Sequence, residues 1–166
     1  CIVGFGSSGG PPMLNVLYNN NYQIVQSPGY VMIMVEMNHD ARIIRLNSEF
    51  NPDSMRRWLG DSVGRWEGNT LVVKTKNHHP QQKFRAAIRH QILISEGAEI
   101  TERFTRVANN EILYQFEIND EEAYKDVWKG EMPLRASQER IYEYACHEGN
   151  YAMANILAGA RAEEEQ

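Results

Sequence analysis

Four side chains carry the chemistry that the spacing of this sequence offers. Glu36-x-x-His39-x-x-Arg42 is the densest cluster of ionisable groups outside the predicted helices, with Asp40 inside it. A carboxylate, an imidazole and a guanidinium at one end of a hairpin are an acid, a base and an anion holder. The same residues also suit a solvated turn with salt bridges. His147 is the fourth. It follows Cys146 and shares a predicted strand face with Ile141, Glu143 and Ala145. Neighbours on a strand point to opposite faces, so a free Cys146 and His147 make a poor nucleophile pair; with Cys146 bridged, His147 is held rigidly, which suits a general base or ligand. Glu36, His39 and His147 would give a metal two nitrogens and a carboxylate if the fold made them converge, which spacing alone leaves undecided for a metal or any other cofactor. His78 and His79 point apart on an extended chain and read as a solvated loop. There is no Gly-rich phosphate loop in strand-to-helix context and no His-Glu-x-x-His motif.

The elements that must position these residues are short strands. Tyr22–Gln26 is stopped by Ser27-Pro28-Gly29, where Pro presets φ and Gly accepts a positive one. Residues 30–37 then return, and a turn at Asn38-His39-Asp40 leads into 41–46, giving a meander. On the second strand Met32, Met34 and Glu36 share a face, which puts Glu36 at a barrel mouth or inside. Asn51-Pro52-Asp53 ahead of Ser54–Gly60 has the N-cap, N1 proline and terminal glycine of a two-turn helix near 52–59. Further strands are predicted at 64–67, 70–76, 100–107, 111–119, 127–135 and 140–147, with a polar loop over 77–89. Met153, Ile156, Leu157 and Ala160 have helical spacing over 151–163. Glu102 and Arg106 alternate with Phe104 on one predicted face, so the residues around them are not expected to be uniformly buried. The fold expected is all-β: an antiparallel meandering barrel or strongly curved sheet, calycin-like, with a short helix near 52–59 and a C-terminal helix.

The 166 residues suit one domain, and 42% hydrophobic composition is enough to build its core. Residues 22–166 are expected to form it, with 1–21 as an extended Gly/Pro-rich surface arm. Asp plus Glu number 22 against 17 Lys plus Arg, a net charge of −5, so nucleic acid is not expected as a partner. No apolar run approaches the ~20 residues of a membrane-spanning helix. Cys1 and Cys146 lie at the two ends of the chain. A bridge between them would close a long loop, contributing roughly 4–5 kcal/mol and implying a non-reducing compartment; two free thiols are the other reading.

Several segments together resemble a family of uncharacterised exported bacterial proteins. They are Tyr18–Asn21 with Gln26–Gly29, Glu36–Arg42, Gly64–Val73 (GRWEGNTLVV), Glu102–Arg106, and Tyr142–Tyr151 (YEYACHEGNY). The resemblance spans nearly the whole chain. It implies a periplasmic or extracellular location and a longer N-terminus with a signal peptide. It brings no assigned activity, and it singles out Glu36, His39, Arg42 and His147 as residues to test. Where members continue Thr-Asn-Phe, this chain has Lys76-Asn77-His78-His79, which argues against the two histidines as shared site residues. Three functions follow as expectations: an exported binder of a small, partly apolar molecule; an enzyme on the same scaffold using Glu36 or His147 with His39 and Arg42; and a structural subunit of a homo-oligomer or larger assembly reached through the arm.

Overall fold

The computed structural model describes residues 9–82, 84–86, 91–145 and 148–164. Among the described residues ten strands and one α-helix follow in order: β1 (Tyr22–Ser27), β2 (Tyr30–Val35), β3 (Ala41–Leu46), β4 (Asp61–Glu67), β5 (Thr70–Lys76), β6 (Phe84–Ala86), β7 (Gln91–Leu93), β8 (Glu99–Ala108), β9 (Glu111–Asn119), β10 (Trp128–Arg135) and α1 (Ala152–Glu164), with a 3-10 turn at Met37–His39. Eight strands form one sheet in the order β1-β2-β3-β4-β5-β8-β9-β10, curled into a half-barrel, while β6 and β7 pair separately. The expected all-β curved sheet and C-terminal helix are thus present. Gly29, at φ +80°, closes the β1–β2 hairpin. Gly130 lets β10 cross β9, since a Cβ there would lie 2.5 Å from the Phe116 ring.

Three local expectations are corrected. No helix forms over 52–59, because its intended cap is engaged elsewhere. The Asn51 side-chain amide donates to Asp61 Oδ1 at 2.8 Å, and the Asn51 backbone carbonyl accepts from Asn77 Nδ2. Asp61 also accepts the Asn51 N–H and binds the Arg45 guanidinium at 2.8 and 3.0 Å. This buried carboxylate pins the loop 47–60 as it crosses back, so β4 enters parallel to β3 rather than antiparallel. Secondly, the described part of 140–147 is not a strand. The chain instead leaves β10 as a strap: Tyr142 N donates to Glu36 Oε1 at 3.4 Å, and Tyr144 lies against Tyr18 at 6.2 Å between ring centroids. Thirdly, residues 9–14 are no surface arm; they are buried, and Met13 and Leu14 join the core. Short, mostly uncharged residues can fill an interior as irregular chain where one backbone donor finds a buried partner, and the Met13 N–H donates to the Tyr114 hydroxyl at 2.8 Å. The expected helix α1 forms with Asn150 Oδ1 accepting the Ala152 N–H, yet none of its residues is buried.

Strand alternation sorts the core. Val31, Ile33, Ile44, Val73, Ile100 and Ile118 face the concave side and are buried. Arg42 and Glu102 face the same side, at 2% and 0% exposure, and the face around Phe104 is buried at Glu102 and open at Arg106, so it is not uniformly buried, as expected. Arg42 on β3 gives both terminal nitrogens to Glu102 on β8, at 2.5 and 3.0 Å, and the Tyr114 hydroxyl donates to the same carboxylate at 2.8 Å. Burial lowers the guanidinium pKa, but the Glu102 charge and hydrogen bonds more than offset this and hold it above its ordinary value. Burial also raises the pKa of the Tyr22 and Tyr114 phenols well above 10.0; for Tyr114 the Glu102 charge adds to it.

Removing one partner of a buried ion pair leaves an uncompensated charge. Arg42→Met or Glu102→Leu alone should therefore destabilise by about 3–5 kcal/mol in denaturant unfolding, and the double substitution should recover most of the loss. An additive double mutant contradicts this coupling. The phenols give a second outcome. Below pH 10 both folded and unfolded chains hold their protons, and above it only the unfolded chain releases those of Tyr22 and Tyr114 readily. Stability should therefore fall as pH rises past about 10, with two of the eight tyrosines ionising only on unfolding in an ultraviolet titration.

Candidate functional site

The sheet curls without closing, and its two edge strands, β1 and β10, flank a cleft of about 1230 Å³. The floor is apolar because alternation turns these side chains inward: Ile24, Val31, Leu71, Phe104, Ile112 and Leu134. Leu71 and Phe104 are cross-strand partners, and Phe104 packs on Tyr114 at 5.0 Å between centroids. The floor is thus the mouth-side end of the core that surrounds Arg42 and Glu102. The rim is polar. Arg106 spends its guanidinium on the β8–β9 turn, donating to the Ala108 and Asn109 carbonyls at 3.2 and 3.1 Å. Arg135 pairs with Glu111 at 3.2 Å. Arg140, on the strap, is exposed and has no ion pair among the described residues. A site of this kind can hold an apolar body against the floor and leave polar atoms at the rim.

Glu36 and His39 occupy a different, shallower place. They share a recess of about 220 Å³ with Met34, Val35, Ile141, Tyr142 and Glu143. β2 ends at Val35, and Glu36 takes helical angles, φ −61° and ψ −41°, so it leaves the outer face that alternation gave it. Its carboxylate is buried, accepting from Asn21 Nδ2 at 2.8 Å and from Tyr142 N. His39 stands exposed at φ +45°, in a turn closed by Val35 N donating to the Asp40 carbonyl. Burial raises the Asp40 carboxyl pKa, and the His39 charge partly opposes it.

The structure therefore brings two of the expected site residues into one recess and separates the third. Arg42 lies in the interior with its terminal nitrogens on Glu102, and its Nε has no hydrogen-bond partner among the described residues. His147 and the expected Cys1–Cys146 bridge lie outside the described residues. Among the described residues no three His, Cys, Asp or Glu side chains converge to hold a metal ion, and no helix is long and apolar enough to cross a membrane. His78 is buried beside the Arg57–His78 bridge rather than in a solvated loop, while His79 stacks on Trp58 at 4.1 Å. Sequence reasoning did not place the cleft, because its floor is assembled from six strands and its existence depends on the sheet failing to close. The signal available was the pairing of charge with apolar alternation: Arg42 shares a face with Ile44, and Glu102 with Ile100 and Phe104.

No protein-family model, no curated protein and no solved structure matches the chain.

Glu36 ties the strap to the end of β2, so Glu36→Ala should free residues 140–145 without unfolding the half-barrel. Faster hydrogen exchange at the Tyr142 amide, with the global unfolding free energy lowered by no more than about 1–2 kcal/mol, is the expected result. Unchanged exchange there contradicts the tie.

Proposed function

We propose that this protein binds a small, partly apolar molecule in the cleft between β1 and β10, and that it does so outside the cytosol. The carrying observation is the cleft itself: about 1230 Å³ of open space floored by core side chains such as Leu71 and Phe104. Apolar floor left facing solvent gains on being covered, at about 25 cal/mol per Å² removed from water. The polar rim at Asn69, Asn109, Asn110 and Arg140 supplies orienting contacts. Export rests on the sequence resemblance described above. A catalytic reading has less support, because Arg42 is engaged by Glu102 and, of the described candidates, Glu36 and His39 alone share a recess.

The amphipathic dye anilinonaphthalene sulfonate should bind the folded chain saturably with a fluorescence gain. Leu134→Arg, which puts a charge on the floor, should weaken that binding about tenfold while a cooperative unfolding transition is kept. Equal binding by wild type and variant places the dye elsewhere and removes the support for the cleft.

A further inference from the structure

We infer that the cleft is a missing-strand site, which takes an extended peptide added to the free edge of β1; this rests on the cleft reading above and narrows its ligand to a main chain. The phase of the β1–β2 hairpin carries the argument. Ser27 pairs with Tyr30 across the two-residue turn Pro28-Gly29, and Glu36 N donates to the Asn21 carbonyl at 2.9 Å in the same phase. In an antiparallel pair, hydrogen-bonded and non-hydrogen-bonded partners alternate. Val25–Met32 and Gln23–Met34 therefore exchange the bonds with β2. The N–H and C=O groups of Tyr22, Ile24 and Gln26 point the other way, off the sheet. β1 ends the sheet, and no hydrogen bond among the described residues reaches those groups. The same three residues line the cleft. One opening thus presents a row of bare backbone donors and acceptors beside an apolar floor.

The two edges differ in a way that favours this occupant. β10 carries Lys129, Glu131 and Arg135 with Pro133 between them, the charges and proline that discourage strand addition. β1 reads Tyr-Gln-Ile-Val-Gln-Ser, with neither charge nor proline. A hydrocarbon ligand would bury the β1 backbone groups without partners, whereas a peptide main chain satisfies them and places every second side chain on the floor. A second copy of β1 would offer the same bonds, but its inward residues are Tyr22, Ile24 and Gln26, of which only Ile24 is aliphatic. The fitting segment has small aliphatic residues at alternate positions, in antiparallel register.

The test uses a fluorescent peptide alternating valine and threonine between lysine ends, followed by anisotropy against the full chain. In antiparallel register the valines face the floor and their N–H groups face β1. N-methylation of the valines should weaken binding at least about tenfold, and N-methylation of the threonines should leave it unchanged. Ile24→Pro removes an outward N–H while sparing the bonds to β2, so this variant should keep a cooperative unfolding transition and lose the peptide about tenfold. Should it not fold, the N-methyl series on the unmodified chain decides alone. Equal loss in both N-methyl series overturns the inference. So does a peptide that fails to bind while the dye binds the cleft, an outcome that leaves the cleft reading standing; failure of both probes removes both readings. A dimer in sedimentation that Ile24→Pro abolishes also overturns it, since the edge is then occupied by a second copy.

Discussion

The Arg42–Glu102 pair is the constraint from which the rest of this structure follows. It joins β3 to β8, strands separated in the sheet by β4 and β5, so both side chains can meet only if the sheet curls toward its concave face. Two charges taken wholly out of water are tolerable only with close geometry and satisfied neighbours. Glu102 receives two bonds from Arg42 and one from Tyr114, and Tyr114 in turn accepts the Met13 N–H. The buried segment 9–14 is thereby held against the ion pair by a hydrogen-bonded chain rather than by shape alone. What an apolar core would leave plastic is fixed here in register, because a one-residue slip of β3 or β8 would turn a charge out and an unpaired charge in.

Much of the fold was legible in local chemistry. The Pro28-Gly29 turn, the β-branched runs of β5 and the alternation in β8 and β9 each state their own conformation, and tertiary contacts agree with them. The sequence misleads where a polar side chain finds a distant partner that outweighs its local one. Asn51 is a good helix cap, worth about 1 kcal/mol in that role, but Asp61 and Arg45 offer it several charge-assisted bonds at once. Residues 141–145 have the composition of a strand, but the described residues there take no place on a sheet edge; the chain crosses the mouth and is caught by Glu36 and Tyr18 instead.

The candidate residues show the same division. Glu36 and His39 are close in sequence and remain neighbours, because three residues around a tight turn cannot separate. Arg42 is three residues further and on a strand, where alternation rather than proximity decides direction. Its face is set by Ile44, two residues on, and its register partner is the core residue Ile33. Read with that periodicity, Arg42 belongs to the interior and calls for an acid on another inward face. Glu102, between Ile100 and Phe104, is such an acid, although which strand lies across the barrel is a property of topology that spacing does not encode.

The open mouth is a consequence of the same arrangement. Closing the sheet would require β1 and β10 to pair, and Pro133 lacks one of the donors such a ladder would use, while the lysine, glutamate and arginine beside it favour water. β10 thus ends the sheet by its own chemistry. β1 does not, since its six residues are uncharged and its outward backbone groups stand beside apolar floor. An edge left in that state is a liability for aggregation in a free chain. The strap from β10 to Glu36 crosses the mouth and lines it with Ser137, Arg140 and Ile141, limiting how large a partner can approach. A narrow, partly roofed opening beside an undefended strand excludes another whole sheet more readily than it excludes a single extended segment, and that asymmetry lets β1 remain unpaired without inviting unrestricted sheet growth.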